Sequence, residues 1–369
     1  MSYETVIGLE VHVELSTASK IFCSCETTFG GEPNTHCCPV CTGLPGALPV
    51  LNEQVVDYAI RTCLATHCAI TPLTRFDRKN YFYPDLPKAY QISQLHKPIG
   101  RNGFLEIETA EGTKKIGIHE IHMEEDAGKL IHDPWEDCTL VDYNRCGVPL
   151  LEIVSEPDLR SAEEALAYLE KLRSILQFLG VSDCRMEQGS LRADVNVSVR
   201  PVGSQTFGTR TEMKNMNSFK AIGRAIVAEA KRQIDLIEDG KTIKQETRRW
   251  DENKDSSFAM RSKEDAMDYR YFPDPDLVAI NITPDWIKRV RAGLAELPES
   301  RRARYIADWQ LSEYEAGVLT THPAIANLFE QTATLSGRPK DAASWMLGEF
   351  MQAAKEQECE PQDLHMPAQ

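Results

Sequence analysis

The sequence lacks the features that would place a chain in a membrane or direct it out of the cell. No apolar run approaches the ~20 residues that a membrane-spanning helix needs. The first residues, MSYETVIGLEVHVEL, contain no basic segment followed by an apolar stretch and a small-residue cleavage site. We therefore expect a cytoplasmic protein without membrane contact. Its 369 residues, 42% hydrophobic and 26% charged, suffice for two or three globular domains.

The common short motifs of nucleotide binding and covalent catalysis are also missing. The sequence has no Walker A pattern, no GxGxxG after a strand and no protein-kinase signature. It shows no Ser-His-Asp or Cys-His signature for a covalent nucleophile. If the protein uses ATP, metal ions and Lys or Arg side chains must hold the phosphates.

Positive charge is scarce, and this excludes a basic scaffold for nucleic acid. The chain carries 41 Lys and Arg against 56 Asp and Glu, a net charge of −15. Such a balance is compatible with carboxylates that hold metal ions. Basic residues gather locally, on a solvated helix face or an RNA contact, at Lys288, Arg289, Arg291, Arg301, Arg302 and Arg304.

A disulfide framework is not expected from the eleven cysteines. Their number is odd, and six of them, Cys63, Cys68, Cys138, Cys146, Cys184 and Cys359, are scattered. The other five lie between Cys23 and Cys41. A Cys-x-Cys pair and a Cys-x-x-Cys pair, twelve residues apart, indicate a closed structural zinc site in a loop at about 22–42. The predicted ligands are Cys23, Cys25, Cys38 and Cys41. Cys37 is the alternative to Cys38, which we prefer because it belongs to the Cys-Pro-Val-Cys turn.

Hydrophobic periodicity predicts an α+β protein. Alternation predicts strands in TVIGLEVHVEL, KIGIHEIHMEED, LLEIVS, LRADVNVSVR and RTEMKNM. Helices are predicted after Ser161 and Ser218, each ended by a glycine. The stretch from Arg248 to Pro275 has little periodicity, and we interpret it as a functional loop. After it the pattern is helical, with starts at Pro284, Pro298, Ser312 and Pro323. We expect a first domain over 1–290 and a helical domain over 291–369.

Several of these strands carry acidic residues and histidine on one face. Side chains alternate between the faces of a strand, so Glu10 and His12 share a face, as do Glu120, His122 and Glu124. Asp194 with Asn196, and Glu212 with Lys214, form two further pairs. One interpretation is a sheet face in contact with water. The other, which four such strands together favour, is a site for Mg²⁺ or Mn²⁺, because gathered carboxylates repel unless cations balance them. Magnesium with open positions for phosphate oxygens is what phosphoryl transfer requires.

Cations that can contact phosphate are concentrated in two aromatic, proline-rich segments and on one predicted strand. The interpretation as ordinary surface charge is the alternative for each. The candidates are Lys79, Lys88, Lys214, Arg248, Arg261, Lys263 and Arg270.

Over essentially its whole length the chain resembles the B subunits of the aspartyl/glutamyl-tRNA(Asn/Gln) amidotransferases, GatB of GatCAB. The resemblance rests on IGLEVHVEL, CPVCTGLPGALPVLN, RKNYFYPDLPKAYQISQ, IHMEEDAGK, DYNRCGVPLLEIVSEPD, RADVNVSV, RTEMKNMNSFK and MRSKEDAMDYRYFPDPDL. It implies a cradle-like, mostly antiparallel catalytic domain similar to glutamine synthetase and guanido kinases, followed by a helical domain. It also implies a C-terminal tail domain, which a chain ending at residue 369 is expected to lack.

The resemblance implies a function in aminoacyl-tRNA synthesis. Family members use ATP and Mg²⁺ to phosphorylate the side-chain carboxylate of misacylated Glu-tRNA(Gln), Asp-tRNA(Asn) or both. Ammonia from the glutaminase A subunit then displaces the phosphate, and a small C subunit supports a heterotrimer. The implied activation site consists of Glu10, His12, Glu124, Glu125, Asp194 and Glu212.

Three residue assignments within this resemblance carry further expectations. Alternation places Glu125 opposite Glu124, so a β-bulge at this turn is needed to bring both into the site. Glu125 or Asp194 is the expected general base for ammonia. The resemblance also implies that Lys79, Tyr81 and Lys88 lie near the mouth of an ammonia channel.

Two other classes of function remain open at this point. One is a different metal-dependent enzyme, a hydrolase or small-molecule ligase, which would act without partner subunits or tRNA. The other is a non-catalytic, zinc-stabilised RNA-binding or assembly subunit, in which alanine variants of Glu10, His12 and Glu124 would be active.

Overall fold

The structure, a computed structural model, describes residues 2–132, 136–262 and 268–364. The chain folds into two compact units. The first comprises Met1–Lys171 and Val181–Gly293, and the second comprises Leu172–Gly180 and Leu294–Gln369. Within the described ranges, no helix is long and apolar enough to cross a membrane.

The first unit contains every strand that the structure describes. They are β1 (Tyr3–Glu14), β2 (Ala69–Ile70), β3 (Leu73–Thr74), β4 (Asp77–Asn80), β5 (Tyr90–Ser93), β6 (Gly100–Thr109), β7 (Gly112–Glu125), β8 (Lys129–His132), β9 (Thr139–Asp142), β10 (Pro149–Ser155), β11 (Leu191–Pro201), β12 (Thr211–Lys214), β13 (Glu246–Asp251), β14 (Ser256–Ser262), β15 (Phe272–Pro273) and β16 (Ile280–Asn281).

The helices lie between these strands and after them. They are α1 (Glu53–Ala65), α2 (Ala162–Phe178), α3 (Phe219–Glu238), α4 (Pro284–Ala292), α5 (Pro298–Trp309), α6 (Glu313–Leu319), α7 (Pro323–Ser336), α8 (Pro339–Trp345) and α9 (Met351–Glu356). A short π-helical segment, Met346–Phe350, joins α8 to α9.

A nine-stranded sheet organises the first unit, in the order β14-β13-β12-β11-β1-β10-β7-β6-β2. All neighbours in it are antiparallel except β12 and β13, which are parallel. The expectation of an α+β protein with a mostly antiparallel sheet is therefore confirmed. Three smaller sheets, β15-β4-β5, β16-β3 and β8-β9, complete the strand pairing of the described residues.

The two faces of the central strands differ in polarity. On β1, the side chains of Leu9, Val11 and Val13 are buried, while Glu10 and His12 between them point to the opposite face. Burying each such apolar side chain contributes about 1.5–3 kcal/mol, which fixes the register of the strand. Helix α3 packs on β11 from the apolar side. The opposite face is left for the polar side chains described below.

Helix starts follow their capping residues. Ser218 Oγ accepts the N–H of Ala221 at 3.1 Å, which starts α3 where the sequence predicts it. At α2, Ser161 Oγ accepts the N–H of Glu164 at 3.2 Å, as expected. The Glu164 carboxylate accepts the N–H of Arg160, the residue before Ser161, at 2.7 Å.

The second unit has an aromatic core. Tyr305, Phe329 and Phe350 are buried in it, and Tyr305 also stacks on Trp309 with ring centroids 5.0 Å apart. Arg304 binds the carboxylates of Glu296 at 2.6 Å and Glu330 at 2.5 Å, which ties the start of α5 to α7.

The interpretation of Arg248 to Pro275 as one long loop is wrong at its start. Strand β13 and the antiparallel β14 extend the nine-stranded sheet through this region. Trp250 on β13 is buried and packs into the core, while the rest of both strands is polar or exposed. A sheet edge of this kind has no apolar face, so period-2 alternation does not reveal it.

Candidate active site and metal centres

The first acidic group combines one side chain from each of three neighbouring strands. His12 on β1, Glu124 on β7 and Glu152 on β10 each offer one ligand atom, and these atoms lie within 4.8 Å of one another. His12 Nδ1 is 3.2 Å from Glu124 Oε1. Ser93 on β5 donates its hydroxyl to the other oxygen of Glu124 at 3.1 Å. The group therefore offers one imidazole and two carboxylates, a donor set that suits Mg²⁺ or Mn²⁺.

The charges of this group are strongly coupled. Burial would lower the pKa of His12, but the hydrogen bond with Glu124 and the charges of Glu124, Glu152 and Asp194 raise it to about 9. Burial would raise the pKa of Glu124, yet the hydrogen bond and charge of His12 and the charge of Lys79 lower it. Burial and the charge of Glu124 raise the pKa of Glu152. Three ionisable groups are thus held together in a poorly solvated place, where a divalent cation would offset their negative charge.

The second acidic group lies beside the first on the same face. Glu10 on β1, Asp194 on β11 and Glu212 on β12 also offer ligand atoms within 4.8 Å of one another. Glu10 and Asp194 are register partners. Glu10 is two residues from His12, so the two groups are about 7 Å apart along β1. Asn196 donates its amide to Glu10 Oε1 at 2.8 Å.

A lysine balances the second group. The ammonium of Lys214 lies 2.5 Å from Asp194 Oδ2 and 3.0 Å from Glu212 Oε1. Burial would lower the pKa of Lys214, but the charges of these two carboxylates raise it. Thr247 on β13 donates its hydroxyl to Glu212 Oε2 at 2.6 Å. Lys214 therefore lies among the carboxylates of the second group and is bound to two of them, and its contact with phosphate stays a prediction.

Glu125 does not join either group, which corrects the expectation of a β-bulge beside it. The register between β7 and β10 runs without a shift from Glu125 opposite Pro149 to Glu120 opposite Val154. Glu125 therefore points to the face opposite Glu124. Its two carboxylate oxygens accept the Lys88 ammonium at 2.5 and 2.6 Å, and Oε1 also accepts the N–H of Ile92 at 2.9 Å. Lys88 accordingly lies with Glu125.

Arg248 faces away from the acidic groups, which corrects its assignment as a phosphate ligand. Its guanidinium donates to Ser257 Oγ at 2.8 Å and to Glu246 at 2.5 Å, and lies 3.8 Å from buried Glu229 on α3. Thr247, the preceding residue, reaches Glu212 on the acidic face, so alternation sends Arg248 to the helical side.

The remaining cationic candidates have different outcomes. Lys79 lies with its ammonium 4.9 Å from the ring centroid of Tyr269 and 5.7 Å from that of Tyr81, and its charge acts on Glu124. Arg270 is exposed, and its carbonyl accepts the Asn80 amide at 2.8 Å. The backbone of Arg261 lies in β14. Lys263 lies outside the described residues.

Four thiols form a third group. The sulfur atoms of Cys23, Cys25, Cys38 and Cys41 lie within 4.8 Å of one another. Cys37 is turned away and donates its thiol to the carbonyl of Asn34 at 3.2 Å. The structure therefore gathers the four cysteines that the spacing predicts. A hydrogen bond from Cys23 and the backbone N–H of Cys38 lower the pKa of Cys41 to about 4. Four thiol groups in this arrangement fit a tetrahedral Zn²⁺ site.

Sequence reasoning missed Glu152 and Ser93. Glu152 is a carboxylate between Leu151 and Ile153 in a strand that is otherwise apolar up to its last residue, Ser155, and that contrast is the signal that could have found it. Ser93 ends the short strand β5, 31 positions before Glu124, and we find no local pattern that marks it.

Comparisons with known proteins give a consistent result. A family model described as the GatB/GatE catalytic domain matches residues 5–288. In Lachnoclostridium phytofermentans, a protein named as the B subunit of aspartyl/glutamyl-tRNA(Asn/Gln) amidotransferase is 64% identical over 364 residues, 99% of this chain and 76% of that protein. Proteins with the same name from Agathobacter rectalis and Caldicellulosiruptor saccharolyticus are 62% and 60% identical, cover 96% and 99% of this chain, and are themselves covered over 75% and 76% of their lengths.

Proposed function

Because this chain belongs to the GatB/GatE catalytic domain family, we propose that it activates a carboxylate of misacylated tRNA with ATP and Mg²⁺. Its substrates would be Glu-tRNA(Gln), Asp-tRNA(Asn) or both, as the names of its relatives suggest. The product would be Gln-tRNA(Gln) or Asn-tRNA(Asn). The cradle-like catalytic fold and the helical domain over 291–369 that the resemblance implies form part of the same proposal.

The observation that carries this proposal is the pair of acidic groups on one sheet face. Each gathers three ligand atoms within 4.8 Å, and the strands that carry them are neighbours in the nine-stranded sheet. A face that merely met water would gain nothing from holding five carboxylates and a histidine this close, since like charges repel. The arrangement fits a pair of divalent cations, with His12, Glu124 and Glu152 holding one and Glu10, Asp194 and Glu212 the other.

Bound magnesium would supply charge neutralisation, because it reduces the repulsion between an anionic phosphate and an anionic carboxylate. The protein's own contribution is to orient the ligands. Ser93 and His12 fix the two oxygens of Glu124, while Asn196 fixes Glu10 and Thr247 fixes Glu212. Such contacts hold ligands in one geometry before substrate arrives.

Lys79 is the cation best placed to meet a substrate anion. Its charge already acts on Glu124, and two tyrosine rings flank its ammonium. We assign it the role of binding a phosphate or carboxylate oxygen at the first group. Lys214 offsets one of the three negative charges of the second group before metal binds, and Arg248 binds Glu246 on β13 and Ser257 on β14.

The reaction proceeds in two balanced steps. A carboxylate oxygen of the aminoacyl side chain bonds to the γ-phosphorus of ATP, and the bond to the β-phosphate oxygen breaks, which releases ADP. Ammonia then bonds to the acyl carbon, the bond from that carbon to the phosphate oxygen breaks, and phosphate leaves with its electron pair. The amide nitrogen loses one proton, for which Asp194 on the acidic face is the acceptor we assign. Glu125, bound to Lys88 on the other face, is the less suited of the two expected bases.

Ammonia must come from outside this chain, which carries no signature of a glutaminase. We therefore propose partnership with a glutaminase A subunit and a small C subunit in a cytoplasmic heterotrimer. Lys79, Tyr81 and Lys88 would lie near the point where ammonia enters. The four cysteines would hold a structural Zn²⁺ that shapes the loop at 22–42.

Amide formation on tRNA, measured together with ADP release, tests this function. The chain is combined with A and C subunits of a relative and supplied with glutamine, ATP, Mg²⁺ and Glu-tRNA(Gln) or Asp-tRNA(Asn). We expect amide formation and ADP release only when misacylated tRNA is present. The rate of both should fall at least about a hundredfold in Glu124→Gln. Glu111→Gln, in the exposed turn between β6 and β7, is the matched control and keeps full activity. ADP release at the full rate without tRNA, or a Glu124→Gln variant that forms the amide at the wild-type rate, would refute the proposal.

A further inference from the structure

Lys20 is a buried lysine just before the four-cysteine loop, and its side chain reaches Cys41 in that loop. Its side chain is fully buried, although it carries a charge. Among the residues that the structure describes, no carboxylate pairs with this ammonium, and the nearby Glu125 is bound by Lys88. A buried ammonium without an anion costs several kcal/mol. The residue therefore needs another source of negative charge.

The Cys41 sulfur supplies that negative charge. Lys20 Nζ lies 3.7 Å from Cys41 Sγ and donates a 2.6 Å hydrogen bond to the carbonyl of His36. The N–H of Cys38 also points at Cys41 Sγ, at 3.1 Å. Two donors that converge on one sulfur are the environment of a thiolate, which is the form that ligates a metal.

Lys20 also connects the two halves of the cysteine loop. Its backbone N–H donates to the carbonyl of Cys25, in the first cysteine pair, at 2.9 Å. Its ammonium binds His36 and Cys41, beside and within the second pair. The position of His36 is itself fixed, because its N–H donates to Asn144 Oδ1 at 2.8 Å. One residue thus holds both pairs at the spacing that a single ion requires.

We propose that Lys20 is a positioning residue of the metal centre, which fixes the two cysteine pairs and balances part of their charge, and so sets how long the metal is held. The inference rests on the proposed metal centre at these cysteines. Four thiolates around a divalent cation carry a net charge of −2, which is costly in a partly buried loop. The ammonium reduces it to −1. Groups that support metal ligands in this way typically change metal affinity about 10–100-fold when removed.

The rate of zinc release tests the proposal without using enzymatic activity. The full chain is loaded with Zn²⁺ and mixed with a chromophoric chelator, and Lys20→Met is compared with wild type. We expect release from Lys20→Met to be at least about tenfold faster. Lys254→Met, at a mostly exposed lysine, is the matched control and releases zinc at the wild-type rate. Release from Lys20→Met at the wild-type rate would overturn the proposal.

Cobalt substitution separates an effect on the sulfur from a general loss of packing. Removing the ammonium raises the energy of the sulfur lone pairs, so the sulfur-to-cobalt charge-transfer band of Lys20→Met should move to longer wavelength. An unchanged band would overturn the charge-balancing role. If Lys20→Met does not fold, Lys20→Arg is tested in its place, because it keeps the charge but displaces the donor. Faster zinc release from Lys20→Arg supports the positioning role of Lys20, and zinc release at the wild-type rate contradicts it. Wild-type protein that binds neither zinc nor cobalt would refute the metal centre itself.

Discussion

His12 Nδ1 lies 3.2 Å from Glu124 Oε1, although the two residues are 112 positions apart in the chain. This contact joins β1 to β7 across β10, which lies between them in the sheet. The strand between contributes Glu152 to the same group. The group therefore exists only once all three strands have paired, and its properties depend on Glu152, which the sequence did not reveal.

Glu152→Gln should make the metal-free protein more stable while it removes activity. Burial and the charge of Glu124 raise the pKa of Glu152, so a neutral side chain relieves a repulsion. We expect the melting temperature in EDTA to rise by about 2 °C. Amide formation should fall at least about a hundredfold, because one ligand is lost. Thermal unfolding with and without Mg²⁺ measures the first effect, and a melting temperature that drops in EDTA would contradict it.

Lys214→Met should make the protein depend on divalent cations for stability. Lys214 balances Asp194 and Glu212, so its removal leaves the second group without a cation. We expect the melting temperature without metal to fall by about 2–4 °C, the effect of about 1 kcal/mol, and Mg²⁺ to restore much of it. Differential scanning fluorimetry against Mg²⁺ concentration measures this shift. Lys241→Met, at an exposed lysine, should show no such dependence.

Arg248→Met should affect stability and leave nucleotide use intact. The guanidinium binds Ser257 and Glu246, so its loss removes a contact between β13 and β14 and leaves the Glu246 carboxylate without its nearest cation. We expect the free energy of unfolding, measured in urea, to fall by about 1–3 kcal/mol. The KM for ATP of the folded enzyme should be that of wild type. A raised KM with unchanged stability would mean that Arg248 contacts ATP after all.

The second unit should lose stability in acid through Glu296. A hydrogen bond from Arg304 lowers the pKa of Glu296 below its ordinary value of 4.5. A carboxyl group whose pKa is lower in the folded than in the unfolded state stabilises the fold at pH values above its unfolded-state pKa. This stabilisation is lost as the pH falls through the folded-state pKa. Unfolding of wild type should therefore become easier below pH 4.5, and Glu296→Gln should flatten this slope. Equal slopes for the two proteins as the pH falls below 4.5 would contradict it.

Local signals in the sequence predicted local structure well. Helix starts at Pro284, Pro298 and Pro323 are confirmed, as is the capping Ser312 of α6. Proline at the first helical position and a capping serine act within one turn, so the sequence alone determines them. The cysteine spacing predicted which four thiols come together for the same reason, because both pairs lie in one short loop.

Features that depend on the sheet were predicted less well. Glu152 was missed because Leu150 and Val154 share its strand face, so alternation describes that face as apolar. The cationic and aromatic neighbours of Arg248 predict a phosphate contact, but its position on β13 turns its side chain toward α3. The resemblance implies that Glu125 belongs to the activation site, but the regular pairing of β7 and β10 turns its side chain to the other face. Each of these depends on which strands lie side by side in the sheet, and that order joins residues far apart in the chain.

Counting bound Mn²⁺ tests the central claim most directly, since Mn²⁺ replaces Mg²⁺ and is detected by electron paramagnetic resonance. The zinc-loaded chain is titrated with Mn²⁺, and Glu124→Gln and Glu212→Gln are titrated beside it. We predict two bound ions for wild type and one for each variant, since each substitution removes a ligand from a different group. Wild-type stoichiometry and affinity in both variants would contradict the claim that this sheet face is the activation site.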